Sequence, residues 1–258
     1  MSDDPKPALA ATEELPGIVR TIRARTPARL LAGRAGAAYR TATQLDLREA
    51  HAAARDAVRA ELETDQVFGA EFAQAWKLLE VRTQATTKDE YLLRPDLGRH
   101  FDHTSAAEIK RHGAPDREIQ IAIGDGLSVP AVAAQVPALL PLLYPGAEAR
   151  NWTVGSTLVI HHCRVGILNE IGELLNPRVA LLLIGERPGL ATAESLSAYM
   201  AHRPRAGHSD ADRNLISNIH ARGLDPESAA HRILNLAAQM MAANSSGYTL
   251  RENPPTLK

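Results

Sequence analysis

The chain has 258 residues, 45% of them hydrophobic, and its 29 basic and 30 acidic side chains leave a formal net charge of −1. This length can bury one large core or two smaller ones. The balanced charge argues against a long-range attraction to nucleic acid or to an anionic membrane, so neither is an expected partner. The single cysteine, Cys163, excludes an internal disulfide and favours a reducing cytoplasm. No uncharged apolar run is long enough to predict a membrane-spanning helix.

The first part of the chain is predicted to be mainly helical. Residues 1–18 are polar and lack a periodic apolar pattern, which is typical of a flexible tail. Apolar residues then recur at helical spacing over residues 45–62 and again over residues 68–81. Pro95 and Gly98 break this pattern. We therefore expect a mainly helical N-terminal domain over residues 19–108 and an α/β domain over residues 109–258.

In the second part, short apolar runs alternate with helical segments. Strands are predicted at residues 119–123, 157–160 and 179–184, and helices at 129–143, which Pro137 and Pro141 could interrupt, and at 165–175. Parallel strands need crossover connections, and helices usually supply them. The alternation therefore predicts an α/β fold with a Rossmann-like, doubly wound parallel sheet.

Three charged residues follow the three predicted strands. They are Asp125, Arg164 and Glu186. Because open α/β sheets bind ligands beyond the carboxyl ends of their strands, these residues form a candidate binding site. The alternative is that Glu186 and Arg187 are solvated loop charges and that Asp125 caps the following helix. The sequence leaves both interpretations open.

Other motifs give little support for catalysis by this chain alone. His161, His162 and Cys163 are metal-binding residue types, but neighbours on a strand point to opposite faces and cannot easily converge on one ion. Neither glycine-rich segment, 33–36 or 124–126, completes a dinucleotide or P-loop pattern. The chain has no G-x-S-x-G and no H-E-x-x-H motif. We therefore predict no catalytic residue and no metal ligand here.

Several segments, in order along the chain, resemble the small subunit of ethanolamine ammonia-lyase. They are residues 30–36, 78–99, 123–128, 164–173, 181–190 and 211–219, and they include the motifs RPDLGR and GERPGL. The resemblance covers nearly the whole chain after the tail. It implies a lyase that converts ethanolamine to acetaldehyde and ammonia by a radical mechanism that depends on adenosylcobalamin. It also implies a hetero-oligomer in which a large subunit holds the substrate, while this chain helps to bind the cofactor and its N-terminal domain contacts the large subunit. Such enzymes work in the cytoplasm, often inside bacterial microcompartments.

The resemblance also assigns cofactor contacts to individual residues. The cobalamin contacts of the family fall on Val165, Glu186 and Leu215. Leu215 departs from the family, in which a cysteine is common in that segment, so a backbone contact would survive but a thiol contact would not. His162 and Cys163 stand where the family usually has tyrosine and glycine. The D-x-H-x-x-G cobalamin motif is absent, which implies that the cofactor is bound in its base-on form.

Overall fold

The computed structural model describes residues 17–26 and 30–252, in two compact units. The units are Met1–Arg48 and Glu49–Lys258, and each is described by itself. The first contains helix α1 (Gly17–Ala24) and an antiparallel ribbon of strands β1 (Arg34–Ala35) and β2 (Ala38–Tyr39). Of the predicted tail, Gly17 and Ile18 belong to α1, and residues 1–16 lie outside the described part.

The second unit is built around a six-stranded mixed sheet. Its strands are β3 (Leu79–Arg82), β4 (Ile119–Gly124), β5 (Leu158–His161), β6 (Val179–Gly185), β7 (Leu196–His202) and β8 (Asn214–Ile219). The strand order is β3-β5-β4-β6-β7-β8. The first four strands in this order are parallel, whereas β7 and β8 are antiparallel to their neighbours. The prediction of a parallel sheet is therefore confirmed for part of the sheet, and the sheet as a whole is mixed.

Helices cover both faces of this sheet. The helices after α1 are α2 (Thr41–Arg59), α3 (Thr64–Val67), α4 (Gly69–Ala75), α5 (Lys88–Leu93), α6 (His103–His112), α7 (Val129–Glu148), α8 (Leu168–Leu175) and α9 (Pro226–Ala243). Helices α7 and α9 pack on one face with Ile121 and Leu183, and α6 and α8 pack on the other with Ala122 and Leu182. The central strands β4 and β6 are buried along their whole length, because side chains alternate between two covered faces.

Helix α7 is the longest apolar helix of the core. It runs without a break through Pro137, Pro141 and Pro145, so the interruption considered from the sequence does not occur. None of these prolines is fully buried. The carbonyl groups that lose their helical partners can therefore bond to water, which lowers the cost of each proline. Contrary to the expectation from the sequence, α7 is, within the described residues, the one helix long and apolar enough to cross a membrane, but nine of its residues are buried in this core.

The prediction of a helix over residues 68–81 is wrong for the residues after Ala75. Helix α4 ends there, and Lys77 adopts a left-handed conformation with φ of 50°. Residues 79–82 instead form β3, in which Val81 is buried and its two neighbours are exposed. Leu79 donates its backbone N–H to Thr157 at 2.8 Å and begins the pairing with β5. Hydrogen bonding to an open sheet edge thus outweighs the local helical pattern.

Strands β7 and β8 were not predicted. In β7, Leu196, Ala198 and Met200 face the core that contains α7 and α9, which is the period of two expected for a strand. Their antiparallel pairing places β7 beside the parallel part of the sheet and β8, with Leu215, at its outer edge.

Candidate functional site

A cleft of about 470 Å³ lies at the carboxyl end of the parallel strands. All three residues predicted to contact a cofactor, Val165, Glu186 and Leu215, line it. Arg164 lines it as well, whereas Asp125 does not. The loops after β5 and β6 supply two walls, and the antiparallel strands β7 and β8 supply another. We call this space the main cleft.

The loop that carries Arg164 and Val165 is fixed at Cys163. The backbone N–H of Cys163 donates to Asp125 Oδ1 at 2.8 Å, and its carbonyl oxygen accepts from Tyr91 Oη at 2.9 Å. Burial, together with the nearby Asp125 carboxylate, raises the pKa of Tyr91 far above its ordinary value, so the phenol remains a donor. The Arg164 guanidinium lies 4.3 Å from the centre of the Tyr91 ring, a cation–π distance. These contacts hold Arg164 and Val165 at the mouth of the main cleft.

Asp125 has a structural position beneath the cleft. Its side chain is fully buried and its Oδ2 lies 3.0 Å from Lys88 Nζ, which is 8% exposed. With both oxygens engaged, Asp125 offers little to a ligand. The prediction that it belongs to the binding surface is therefore wrong. The alternative that it caps the following helix is also wrong, because Ser128 is the residue that caps α7.

Glu186 is held by three protein donors. Its Oε1 accepts from the Ser197 hydroxyl and, at 3.3 Å, from the backbone N–H of Asn218. Its Oε2 accepts from the Ser195 hydroxyl at 3.0 Å. A carboxylate has about four acceptor positions, so about one remains open. Glu186 is therefore an oriented acceptor, and the alternative of a freely solvated loop charge applies only to its exposed neighbour Arg187.

The wall of the main cleft that β7 and β8 form is partly apolar. Leu215 is 46% exposed, and it pairs across the strands with Tyr199, which also lines the cleft. Val165 contributes a half-buried aliphatic side chain near the same opening. The main cleft thus combines an apolar surface with one oriented carboxylate and two arginines, Arg164 and Arg187.

His161, His162 and Cys163 do not converge on one point, as predicted. His161 Nε2 lies 2.7 Å from Glu80 Oε1, and His162 Nε2 lies 3.0 Å from Glu61 Oε2. The Cys163 thiol is free and buried. A different group, Glu61, Asp125 and His162, brings three potential metal-ligand atoms within 4.8 Å of one another. The Lys88 ammonium already provides a cation for Asp125 there.

Sequence reasoning missed the residues that support the cleft from below and from the side. Tyr91 opens the segment that was interpreted as a break in the helical pattern, and Lys88 lies just before it. Both belong to helix α5, which is only six residues long and in which they are the two buried residues. Ser197 and Tyr199 lie on the unpredicted strand β7. Its alternation of apolar with other side chains was the available signal.

Comparison with known proteins identifies the family. The family model described as Ethanolamine ammonia-lyase light chain (EutC) matches residues 17–251. The ethanolamine ammonia-lyase small subunit of Clostridium perfringens is 41% identical over 230 residues, 89% of this chain and 76% of the relative. The small subunit of Rhodopseudomonas palustris is 40% identical over 235 residues, 91% of this chain and 90% of the relative. These matches confirm the resemblance seen in the sequence, and the chain belongs to the family of ethanolamine ammonia-lyase small subunits.

Proposed function

We propose that this chain is the cofactor-binding subunit of an adenosylcobalamin-dependent ethanolamine ammonia-lyase, a carbon–nitrogen lyase that is active only with its large subunit. One observation carries the proposal. Val165, Glu186 and Leu215 are far apart in the sequence, yet they line one cleft at the carboxyl end of the sheet. This is the place at which open α/β sheets bind ligands.

The residues of the main cleft fit a corrinoid. A corrin presents a broad apolar ring whose rim carries amide groups. Leu215 and Val165 offer apolar surface, and the open acceptor position of Glu186 suits an amide N–H. Because Glu186 is already oriented by Ser195 and Ser197, it loses little side-chain freedom on binding.

The size of the cleft supports a site shared between two chains. Pockets of about 300–1,000 Å³ enclose drug-sized ligands. Adenosylcobalamin is several times larger than such ligands, and the main cleft measures about 470 Å³. This chain would therefore cover one side of the cofactor, and the large subunit would cover the other and hold ethanolamine.

The chemistry is divided accordingly. Bound adenosylcobalamin would supply the radical chemistry. Protein groups would bind and orient the cofactor and would exclude side reactions. In this chain, Val165 and Leu215 would keep water away from the corrin, and Glu186 would fix its orientation. We also propose base-on binding, because the D-x-H-x-x-G motif is absent.

Three further parts of the proposal rest on the sequence and its resemblance. Residues 19–108 would contact the large subunit, and residues 109–258 would contact cobalamin. The parallel strands, which have helices on both faces, would form the Rossmann-like, doubly wound part of the fold. The enzyme would work in the cytoplasm or inside a bacterial microcompartment.

Substitution of Glu186 tests the proposal. The complex of this chain with the large subunit is titrated with adenosylcobalamin, and its subunit composition is measured by analytical ultracentrifugation. We expect Glu186→Ala to weaken cofactor binding about tenfold, the effect of losing a hydrogen bond to a charged group, while the complex stays assembled. Glu194→Ala is the matched control, since it removes an exposed carboxylate that does not line the cleft.

The possible results separate two functions. Unchanged cofactor affinity of Glu186→Ala would show that Glu186 is not a contact. Loss of subunit association before any loss of cofactor affinity would indicate an assembly role for this face of the protein. Absence of cobalamin-dependent acetaldehyde formation by the unaltered complex would overturn the proposed function itself.

A further inference from the structure

A second cleft meets the main cleft at Arg164 and Val165, which line both. It has a volume of about 630 Å³ and extends from Arg99 to the segment around His208. None of the cofactor contacts implied by the family resemblance, apart from Val165, lies in it.

Two arginine side chains are positioned at this second cleft by close contacts with two glycines. A Cβ atom on Gly98 would lie 2.7 Å from Cγ of Arg164, and a Cβ atom on Gly166 would lie 2.9 Å from Cγ of Arg99. Each arginine stem therefore packs against the glycine of the other loop. The backbone N–H of Arg164 also donates to Gly98 O at 2.8 Å. This reciprocal packing fixes both loops and brings two guanidinium groups to one cleft.

Neither guanidinium is neutralised by the chain. Within residues 17–26 and 30–252, no carboxylate oxygen lies within 4.0 Å of Arg99 or Arg164. The Arg164 guanidinium contacts the Tyr91 ring and, at 3.4 Å, the Tyr91 carbonyl oxygen, and neither is a carboxylate. The two positive charges are therefore available to an anion.

The carboxylates of the second cleft, in contrast, are engaged. Glu170 Oε2 accepts from the backbone N–H of Phe101 at 2.9 Å, and Glu173 Oε1 accepts from that of Ala206 at 3.1 Å. Asp210 forms an ion pair with Arg213. The Arg213 guanidinium offsets the charge of Asp210, and the backbone hydrogen bonds hold Glu170 and Glu173 in place.

Buried nitrogens in the same wall also lack acceptors. Arg164 Nε, Arg213 Nε and His208 Nδ1 are buried without a hydrogen-bond partner in the described structure, and the Arg213 side chain is only 5% exposed. Buried polar groups are nearly always hydrogen-bonded, so the unpaired N–H groups of Arg164 Nε and Arg213 Nε indicate an acceptor that the chain does not supply.

We propose that the second cleft is a phosphate site in which Arg99 and Arg164 bind the phosphate oxygens. Planar guanidinium groups match phosphate geometry, and two of them can bind one phosphate in a bidentate manner. The phosphate could be free or could be the phosphodiester of the nucleotide tail of cobalamin. The second source rests on the proposed function, and it is supported by the contact between the two clefts at Arg164 and Val165.

The test compares two corrinoids that differ in the tail. The complex with the large subunit is titrated with cyanocobalamin, which has the phosphodiester, and with dicyanocobinamide, which lacks the nucleotide tail. Binding of inorganic phosphate is measured separately by ³¹P NMR. The variants are Arg99→Gln and Arg164→Gln, which keep part of the stem over each glycine. Arg94→Gln is the control, because Arg94 is paired with Asp96 and lies outside both clefts.

Each variant is expected to weaken phosphate binding about tenfold or more, the effect of losing a charge-assisted hydrogen bond, whereas Arg94→Gln leaves it unchanged. If the tail is the source, Arg99→Gln, which changes a residue outside the main cleft, weakens cyanocobalamin binding by a similar factor and leaves dicyanocobinamide binding unaffected, and phosphate competes only with cyanocobalamin. If free phosphate is the source, it binds to the cobalamin-saturated complex as well.

Two results would overturn the phosphate site. In the first, Arg99→Gln and Arg164→Gln bind phosphate and cyanocobalamin as the unaltered complex does. In the second, Arg99→Gln loses affinity for both corrinoids equally, which indicates damage to the main cleft. Failure of the proposed function is distinct, since the unaltered complex would then bind neither corrinoid, while phosphate binding would still respond to the two substitutions.

Discussion

The ion pair between Lys88 and Asp125 illustrates how single residues prepare the main cleft without contacting a ligand. Lys88 begins helix α5, where the helix dipole disfavours a positive charge. Its ammonium nevertheless lies 3.0 Å from the buried Asp125 carboxylate, which in turn accepts from the N–H of Cys163. The local cost at the helix start is therefore offset by a contact that fixes the loop carrying Arg164.

Removing one partner of this pair is expected to be costly. We predict that Lys88→Met lowers the free energy of unfolding by about 3–5 kcal/mol, because Asp125 is left as an unpaired buried charge. Urea unfolding of the purified chain measures the change. The double variant Lys88→Met with Asp125→Asn should lose less than the single variant, since the introduced amide is uncharged and its oxygen can still accept from the N–H of Cys163. Equal losses would contradict the importance of the pair.

Cys163 provides a second prediction at this scale. Burial raises the pKa of its thiol well above the ordinary value, and the nearby Asp125 carboxylate acts in the same direction. Because the thiolate is the reactive form, we expect iodoacetamide at pH 8 to leave the folded chain unmodified and to alkylate it after unfolding in urea. Mass spectrometry counts the added groups. Rapid alkylation of the folded chain would show that the Cys163 loop opens readily.

Single residues also show where sequence reasoning succeeds and where it fails. Glu186 could be selected because it follows a long apolar strand, which is a local pattern. Its hydrogen-bond donors Ser195, Ser197 and Asn218 could not, because they belong to strands and loops whose pairing is set by the tertiary fold. Asp125 was misassigned for the same reason, since its partner Lys88 lies 37 residues earlier.

At the scale of elements, predictions succeed where one local signal dominates. Strands β4 and β6 are continuous apolar runs, and each was predicted to within one residue of its observed end. Strand β3 has only four residues and one buried side chain, Val81, so its sequence carries little information. Its existence depends on the open edge of β5, which a local pattern does not encode.

Helix α7 allows a direct measurement of the cost of an internal proline. Pro141→Ala should restore a backbone hydrogen bond to the carbonyl of Pro137 on an exposed side of the helix. We expect the free energy of unfolding to rise by about 1–2 kcal/mol. Alanine is much more favourable than proline inside a helix, and this gain exceeds the cost of the greater conformational entropy that the unfolded chain acquires without the proline ring. Pro130→Ala is the control, because Pro130 occupies the first turn, where proline is tolerated, and stability should not rise. Urea unfolding compares both variants with the unaltered chain.

At the scale of the whole molecule, the order of the strands determines how stability is distributed. Strands β4 and β6 lie inside the sheet and are fully buried, whereas β3 and β8 are its outermost strands. In the second half of the chain, short apolar runs alternate with helical segments, and this pattern predicted the inner strands. The change from parallel to antiparallel pairing after β6 had no comparable signal, since it depends on how the connection between β6 and β7 turns.

Hydrogen exchange should reflect this order. We expect the amides of β4 and β6 to exchange most slowly, at rates set by global unfolding, and those of β3 and β8 to exchange faster through local opening. Mass spectrometry of peptic peptides from the chain alone measures these rates. Faster exchange in β4 than in β8 would contradict the distribution of burial. Addition of cyanocobalamin to the complex should protect residues 214–219 more than residues 119–124.

The walls of the main cleft come from six segments, represented by Tyr91, Gly126, Arg164, Glu186, Tyr199 and Leu215. These segments span more than 120 positions of the chain, as their numbers show, so no fragment of the sheet can form the cleft by itself. Any ligand held there recognises only the completely folded state, and its binding energy adds directly to the free energy of unfolding of the whole sheet. Occupancy of the cleft would therefore slow any proteolysis that requires unfolding of the whole sheet, even at strands that the ligand never touches.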